Sequence, residues 1–502
     1  MGLAILVSRA QVGVEAPPVT IEVFLSGGLP KFNVVGLAET AVRESKDRVR
    51  GAIISSGFKF PQERITVNLG PADMKKTGGR FDLAVALGIL GASQQIPHAD
   101  FKDIEFYGEL ALNGELRRIP GALPAAIKAA EAGRTIIMPE LNAAEAALAG
   151  GKVLAARSLL EVTSLLRDPQ HAVAEAAKPA MSVLVDGPDL AEVRGQKFAK
   201  RALEIAAAGA HNILLIGPPG TGKSMLAQRL PRLLPVMKTE EAIETAAVNS
   251  VLGHPIDPHT LHQRPFRAPH HTASAVALVG GGADPRPGEI SRAHNGVLFL
   301  DELAEFSRHV LEVLREPLEN GRITISRANG QADYPARFQL VAAMNPCPCG
   351  YNGDRQGRCR CSVEAVQRYR GKISGPLLDR IDIHIEVNRP SVDLLRPDAP
   401  MGECSAQVAQ RVSAAREIQL RRCGKSNAAL TAAELNETMN ADKSSYALLE
   451  RAAEKLALSA RAYQRIQRVA RTIADLAGDD RVRSAHIGEA LNLRQLDRAA
   501  VS

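Results

Sequence analysis

The run GPPGTGKS, residues Gly217, Pro218, Pro219, Gly220, Thr221, Gly222, Lys223 and Ser224, has the types and spacing to bind a polyphosphate. Glycines there let backbone N–H groups turn inward around the phosphates, the lysine reaches the terminal ones, and the hydroxyl can hold Mg²⁺. The expected ligand is ATP with Mg²⁺. An apolar run at 213–216 precedes the loop, and helical spacing over about 224–230 follows, so the positive helix end would face the charge. Farther on, VLFLDE is a buried-strand run that ends in Asp301 and Glu302. Adjacent acids are often just solvated charge. Downstream of a phosphate loop they read as a hydrolytic pair, Asp301 holding Mg²⁺ through water and Glu302 orienting or deprotonating the attacking water.

Two other groups of residues carry chemistry. Four of the six cysteines fall together, at Cys347, Cys349, Cys359 and Cys361. Four soft ligands suit a structural Zn²⁺ with no open coordination position; the Cys-x-Cys spacing is tighter than usual, and a redox pair or free thiols are the alternatives. The stretch HQRPFRAPHHT at 262–272 holds three histidines, but adjacent ligands without an acidic partner at helical spacing make a weak metal signal. A loop offering Arg264 and Arg267 to nucleic-acid phosphates is the functional reading, and an ordinary surface loop is its rival. Residues 319–330 read as a strand and turn, a hairpin that carries Arg322 and Arg327.

These groups need several domains to hold them, and 502 residues supply them. With 45% apolar and 23% charged residues the composition is that of a globular protein. The formal charge of +7 permits an acidic polymer as partner, and on charge alone a basic solvated surface explains it equally well. No apolar stretch is long enough to span a bilayer, and the opening MGLAILVSRAQVGVEAPP is too short and too soon charged for a signal peptide. The expectation is a cytoplasmic protein without a membrane partner, in a compartment where clustered cysteines bind metal rather than form disulfides.

Residues 1–167 read as mixed strands and helices. Residues 19–24 and 64–69 alternate like strands, and 39–55 has helical spacing with Val42, Val49 and Ile53 on one face. The stretch from GLPKFNVVGLAET to FDLAVALGIL resembles the Lon-protease-like domain, an α+β fold shared with a ribosomal-protein module. In those peptidases a serine follows a Lys-x-Gly-x run; here the run is Lys76-Thr77-Gly78-Gly79, and Arg80 stands in the serine's place. The partner lysine would fall near Gly121-Ala122-Leu123-Pro124, where there is none. A nucleophile without its base cannot work, so no peptidase activity is expected. Lys75 and Lys76 read as a solvated loop first and a binding patch second. The Ala/Pro-rich segment 168–188 reads as a linker.

Residues 189–390 resemble the AAA+ ATPases of the magnesium-chelatase-like family, YifB/ComM type, on the phosphate loop, the VLFLDE strand and the order of the motifs after them. The resemblance extends over almost the whole chain and implies a multidomain α/β protein: the Lon-like domain, an AAA+ core with a pore hairpin and the four-cysteine loop, and a helical lid at 391–502. It further implies that Arg194-Gly195-Gln196 lies beside the adenine, and that Asn345, closing the apolar run 338–344, is sensor 1. Arg380 in GPLLDRID would be the arginine finger given to a neighbour, with a structural ion pair as the alternative, and Arg461 would be sensor 2. A site completed in trans implies an oligomer, by family a homo-hexamer. In the lid, Val408, Val412, Ala415 and Ile418 form an apolar stripe, and Arg411, Arg416, Arg421 and Arg422 read as solvated.

For this family the resemblance implies an ATPase that moves on single-stranded and branched DNA. Branch migration, alongside the recombination machinery and during uptake of transforming DNA, would be its task, with Arg264, Arg267, Arg322 and Arg327 as DNA contacts. The alternative is a chelatase-like motor that remodels a protein partner. The Lon-like domain and the four cysteines depart from that subunit's layout.

Overall fold

The computed structural model describes residues 2–36, 42, 44–97, 101–167, 187–282, 285–327, 330–353, 357–389, 392–396 and 400–496. Most of the expected linker and the hairpin tip at 328–329 lie outside them.

The N-terminal part is built on a seven-stranded sheet. Its strands are β1 (Gly2–Arg9), β2 (Pro18–Ser26), β3 (Lys31–Val35), β4 (Arg64–Gly70), β5 (Ile104–Phe106), β6 (Thr135–Pro139) and β7 (Val153–Ala156), in the order β3-β4-β2-β1-β5-β6-β7. Strict alternation along β2, with Val19, Ile21, Val23 and Leu25 inward, fixes its register against β1 and β4. Two helices cover the inner face, α1 (Ser45–Ser55) and α2 (Asp82–Ala92). Every residue of α2 is buried, as expected of a helix apolar on all sides. Its one carboxylate, Asp82, is answered by Arg48 of α1 at 2.7 Å.

In this sheet's loops the residues compared with a peptidase site hold the fold together. Arg80 is buried and donates to Tyr107 Oη and Gln11 Oε1, each at 2.8 Å. Lys76 is not the solvated residue expected: it is fully buried, donates to the Pro71 carbonyl, and burial pushes its pKa down. The place of the missing lysine opens α3 (Ala122–Glu131), followed by α4 (Glu140–Ala146) and α5 (Leu159–Arg167).

The central part is a parallel sheet. Its strands are β8 (Ile213–Ile216), β9 (Phe266–Arg267), β10 (Val297–Leu300), β13 (Gln339–Met344) and β14 (Ile383–Glu386), in the order β9-β10-β13-β8-β14. Between β10 and β13 lies the expected hairpin, β11 (Arg322–Arg327) and β12 (Gly330–Pro335), paired antiparallel. The runs ILLI and VLFL are wholly buried because helices cover both faces of a parallel sheet. On one side lie α6 (Lys197–Gly209) and α7 (Lys223–Arg229); α8 (Thr239–Val251) and α9 (Ala275–Val279) follow, and α10 (Val363–Arg370) comes after β13.

The chain ends in α11 (Ser405–Cys423), α12 (Ala432–Met439), α13 (Lys443–Lys455), α14 (Ala460–Ala477) and α15 (Ser484–Asn492). Ser459 caps α14 by accepting from Ala462 N, worth about 1 kcal/mol. Val408, Val412 and Ala415 share one core with Leu203 of α6 and with Val469 and Ile473 of α14, so these helices close over α6. Three lid arginines are tied to the fold, Arg416 and Arg422 partly buried and Arg411 still exposed. Arg416 is bonded to the Ala207 and Ala208 carbonyls at the C-terminus of α6, Arg411 to Glu204, and Arg422 to Asp475. Arg416 thus meets the negative end of α6.

The two α/β parts are in contact. Leu123 of α3 is buried with Met237, Ala242, Ala246 and Leu261 around α8. Gly121 N donates to Ser250 O at 2.8 Å, and Leu123 N to Ser250 Oγ at 3.2 Å. Among the described residues no helix is long and apolar enough to cross a membrane.

Candidate active site

Three neighbouring parallel strands, β10, β13 and β8, end on the same edge, and each delivers one motif there. This is the carboxyl edge, where open parallel sheets bind ligands. The resulting cavity, about 330 Å³, is lined by 219–225, Asp301, Glu302, Met344 and Asn345.

Beyond β8 the chain must turn tightly. A Cβ on Gly217 would sit 2.3 Å from the Val387 carbonyl, so only glycine passes there. Gly220 and Gly222 are left-handed, with φ of +73° and +88°. Lys223 opens α7 and folds back over the loop, with Nζ 2.7 Å from Gly217 O, 3.0 Å from Pro218 O and 3.3 Å from Asn345 Oδ1. Burial pushes its pKa down, while Asp301 and Glu302 pull it back up. Thr221, also buried, closes the turn by donating to Pro218 O at 2.9 Å.

Ser224 Oγ donates to Asp301 Oδ2 at 2.6 Å, which brings the two expected Mg²⁺ ligands together. The other oxygen, Oδ1, accepts from Glu302 N at 2.9 Å. Glu302 is left-handed (φ 52°, ψ 48°), a conformation costly for a residue with a side chain and concentrated at functional turns. Its carboxylate oxygen Oε2 is 3.0 Å from Nδ1 of His271. Sequence reasoning missed that pair. His271 follows β9, the strand beside β10, and only strand order makes the two neighbours. Gln196, from the expected adenine-side segment, donates to Thr221 O and Asn388 O and braces the loop from behind.

Other expected site residues are placed differently. Arg264 is bonded to Pro235 O, Asn295 O and Glu241, and Arg267 lies against both oxygens of Glu289. Arg264 is thus tied into the fold, while Arg267 is ion-paired yet about a third exposed. His262 is turned inward as well, 2.8 Å from the Met237 carbonyl. Arg322 and Arg327, by contrast, are exposed on the hairpin. Arg380 is 7% exposed and ion-paired with Glu319 of its own chain, the structural alternative rather than a group held out to a neighbour. Arg461 is exposed in the first turn of α14, whereas the residues lining the cavity all come from 219–225, 301–302 and 344–345. The lid reaches the core one turn later, where Arg465 pairs with buried Asp382. Burial would raise that carboxyl, but Arg465 and His211 hold it well below its ordinary range.

The four cysteines do converge. Sulfur separations are 3.3 Å for Cys347 and Cys349, 3.8 Å for Cys347 and Cys359, and 3.7 Å for Cys349 and Cys359. All four sulfurs, that of Cys361 included, lie within 4.8 Å of one another. Tetrahedral sulfurs around a Zn²⁺ at roughly 2.3 Å stand about 3.8 Å apart, so this donor set fits the ion. Backbone N–H groups of Arg360 and Tyr351, helped by the Cys347 thiol, pull the Cys349 thiol down to about 6. The loop rests on the nucleotide site: Gly350 packs so closely on Pro219 that a Cβ would lie 2.8 Å from its ring.

Comparison with known proteins matches three family models. They are subunit ChlI of Mg-chelatase over residues 21–142, magnesium chelatase subunit ChlI over 189–394, and the ChlI C-terminal region over 402–494. The chain is 50% identical to competence protein ComM of Haemophilus influenzae, covering 99% of this chain and 98% of that protein. It is 48% identical to YifB, an uncharacterised protein of Escherichia coli, over 100% of this chain and 99% of that one. The magnesium-chelatase 38 kDa subunit of Cereibacter sphaeroides is 27% identical over 39% of this chain and 57% of its own length.

Proposed function

The chain belongs to the magnesium-chelatase-like family, YifB/ComM type, and we propose that it is a cytoplasmic ring-forming AAA+ ATPase that couples ATP hydrolysis to movement on DNA. The observation that carries the ATPase reading is the meeting of Lys223, Ser224, Asp301 and Asn345 at one sheet edge. Lys223 binds the phosphates, Ser224 and Asp301 hold Mg²⁺, Glu302 activates water and Asn345 orients it.

The full-length likeness to a competence protein supports a role in taking up and recombining DNA, as branch migration on single-stranded and branched substrates. The exposed arginines of the β11–β12 hairpin suit sequence-independent backbone contact. A homo-hexamer would set the hairpins around a central pore, and Zn²⁺ on the four cysteines would stiffen the loop behind Asn345. The N-terminal part we assign as a Lon-like domain without a dyad, supported by the burial of Arg80 in the nucleophile's place. The second reading, a motor that remodels a protein partner, draws on the partial match to the chelatase subunit.

One measurement separates the two: ATP turnover with and without single-stranded or forked DNA. The DNA reading expects binding and several-fold stimulation, lost in Lys223→Ala, with ATP trapped by Glu302→Gln. If neither DNA binds nor raises turnover, the DNA reading is wrong, and dependence on a protein partner would take its place.

A further inference from the structure

We propose that the cavity between the phosphate loop and the four-cysteine loop is a second nucleotide site, taking one phosphate-bearing nucleotide unit apart from the ATP that is hydrolysed. The cavity measures about 440 Å³ and lies over the carboxyl ends of the neighbouring strands β8 and β14. That volume falls in the range of roughly 300–1,000 Å³ common to small-molecule sites. It is distinct from the cavity that holds Lys223 and Asp301. The two have no lining residue in common: Gly217 and Pro218 face one, and 219–225 face the other.

Three guanidiniums line the cavity, those of Arg358, Arg370 and Arg389, against the single carboxylate of Glu386, a formal excess of two positive charges. Among the described residues no carboxylate pairs with Arg370 or Arg389; Arg370 donates to the Pro346 carbonyl at 3.3 Å, and Arg389 is exposed. The Tyr351 ring gathers two of the three, its centroid 4.6 Å from the guanidinium carbon of Arg358 and 5.9 Å from that of Arg389. The ring attracts both cations and keeps them together against their mutual repulsion. An anion seated among them removes that repulsion. Phosphate suits the place best, because planar forks of N–H donors match its oxygens two at a time. A bare phosphate would leave most of the volume empty. The wall beside the guanidiniums includes Pro218, Pro346 and Val387, apolar surface against which a planar base can lie. A free nucleoside diphosphate and one unit of a single strand share this chemistry.

Equilibrium binding of a fluorescent ADP to the full chain, read with its stoichiometry, tests the assignment, and a labelled oligothymidylate is titrated beside it. Wild type should hold two ADP per chain. Lys223→Ala should keep one, at the second site, where inorganic phosphate should compete with it. Arg389→Ala should keep the other, and ADP retained at the phosphate loop shows that the variant is folded. In the Lys223→Ala background, Arg389→Ala and Arg358→Ala should each weaken the remaining ADP at least about tenfold. Arg389→Lys, with the charge but without the planar fork, should fall between. If wild type holds one ADP per chain while Arg358→Ala and Arg389→Ala weaken the oligothymidylate at least about threefold, the site takes its nucleotide from a strand. One ADP per chain with oligothymidylate binding unchanged in both variants overturns the proposal, and so does a second ADP that survives both substitutions. The ADP arm is independent of the DNA reading: a chain that ignores DNA yet binds two ADP keeps this site and loses that reading.

Discussion

Ser224 and Asp301, far apart in the chain, meet in a 2.6 Å hydrogen bond between hydroxyl and carboxylate at the edge of the parallel sheet. Ser224 would hold Mg²⁺ directly and Asp301 through a water, so their hydrogen bond marks where the ion and its water would enter. Ser224→Ala and Asp301→Asn should each lower ATP turnover at least about tenfold and raise the Mg²⁺ concentration for half-maximal rate. A Mg²⁺ titration of the ATPase checks this, and an unchanged midpoint in both variants counts against the assignment.

Arg264 and the two hairpin arginines should fail in different ways. Arg264 is largely buried, and removing it takes a donor from two carbonyls and the ion-pair partner from Glu241, at a cost of about 1–3 kcal/mol. Thermal melting of Arg264→Ala should show that loss. Arg322→Ala and Arg327→Ala should melt like wild type, yet bind single-stranded DNA more weakly, each lowering the salt slope of binding by about 1.

How much of this could be read from the sequence follows from which interactions are local. The phosphate loop, the VLFLDE strand and the hairpin were legible because each is a contiguous pattern with its own physics: glycine turns, a buried apolar run, two strands around a turn. The fates of Arg264, Arg267, Arg380 and Arg416 were not. An arginine's partner is chosen by tertiary neighbours, and Glu241, Glu289, Glu319 and the end of α6 are brought up only by the packed fold. The burial of Lys76 was hidden for the same reason, since its partner, the Pro71 carbonyl, is presented by the folded loop.

Asp82 gives the stability a pH dependence of known sign. Burial lifts its carboxyl to about 6, against the pull of Arg48, while in the unfolded chain it stays near 3.8. With the folded value raised, its contribution is greatest below the unfolded pKa, falls as pH rises from about 4 to 6, and is flat above. The difference in unfolding free energy between wild type and Asp82→Asn should therefore shrink over that window by up to about 3 kcal/mol. Denaturant melts at pH 4, 5, 6 and 7 would read it; a difference that grows with pH contradicts the assignment.

The cysteine loop makes a prediction about metal. Purified chain should carry about one Zn²⁺ by elemental analysis, and Cys347→Ser should carry little. Because Gly350 lies against Pro219, the metal-free form should also bind ATP more weakly, a change visible in nucleotide titrations. Full metal content in Cys347→Ser would rule out the four-sulfur site.

The contact of Gly121 and Leu123 with Ser250 changes what the N-terminal part is to the motor. A module hung on a tether samples many orientations and reports nothing about its neighbour. One seated on α8 by backbone bonds and an apolar plug rides as a rigid fitting. The N-terminal part is then a piece of the frame, and a tilt of the core would carry its far edge through a longer arc, as the tip of a lever sweeps farther than its root.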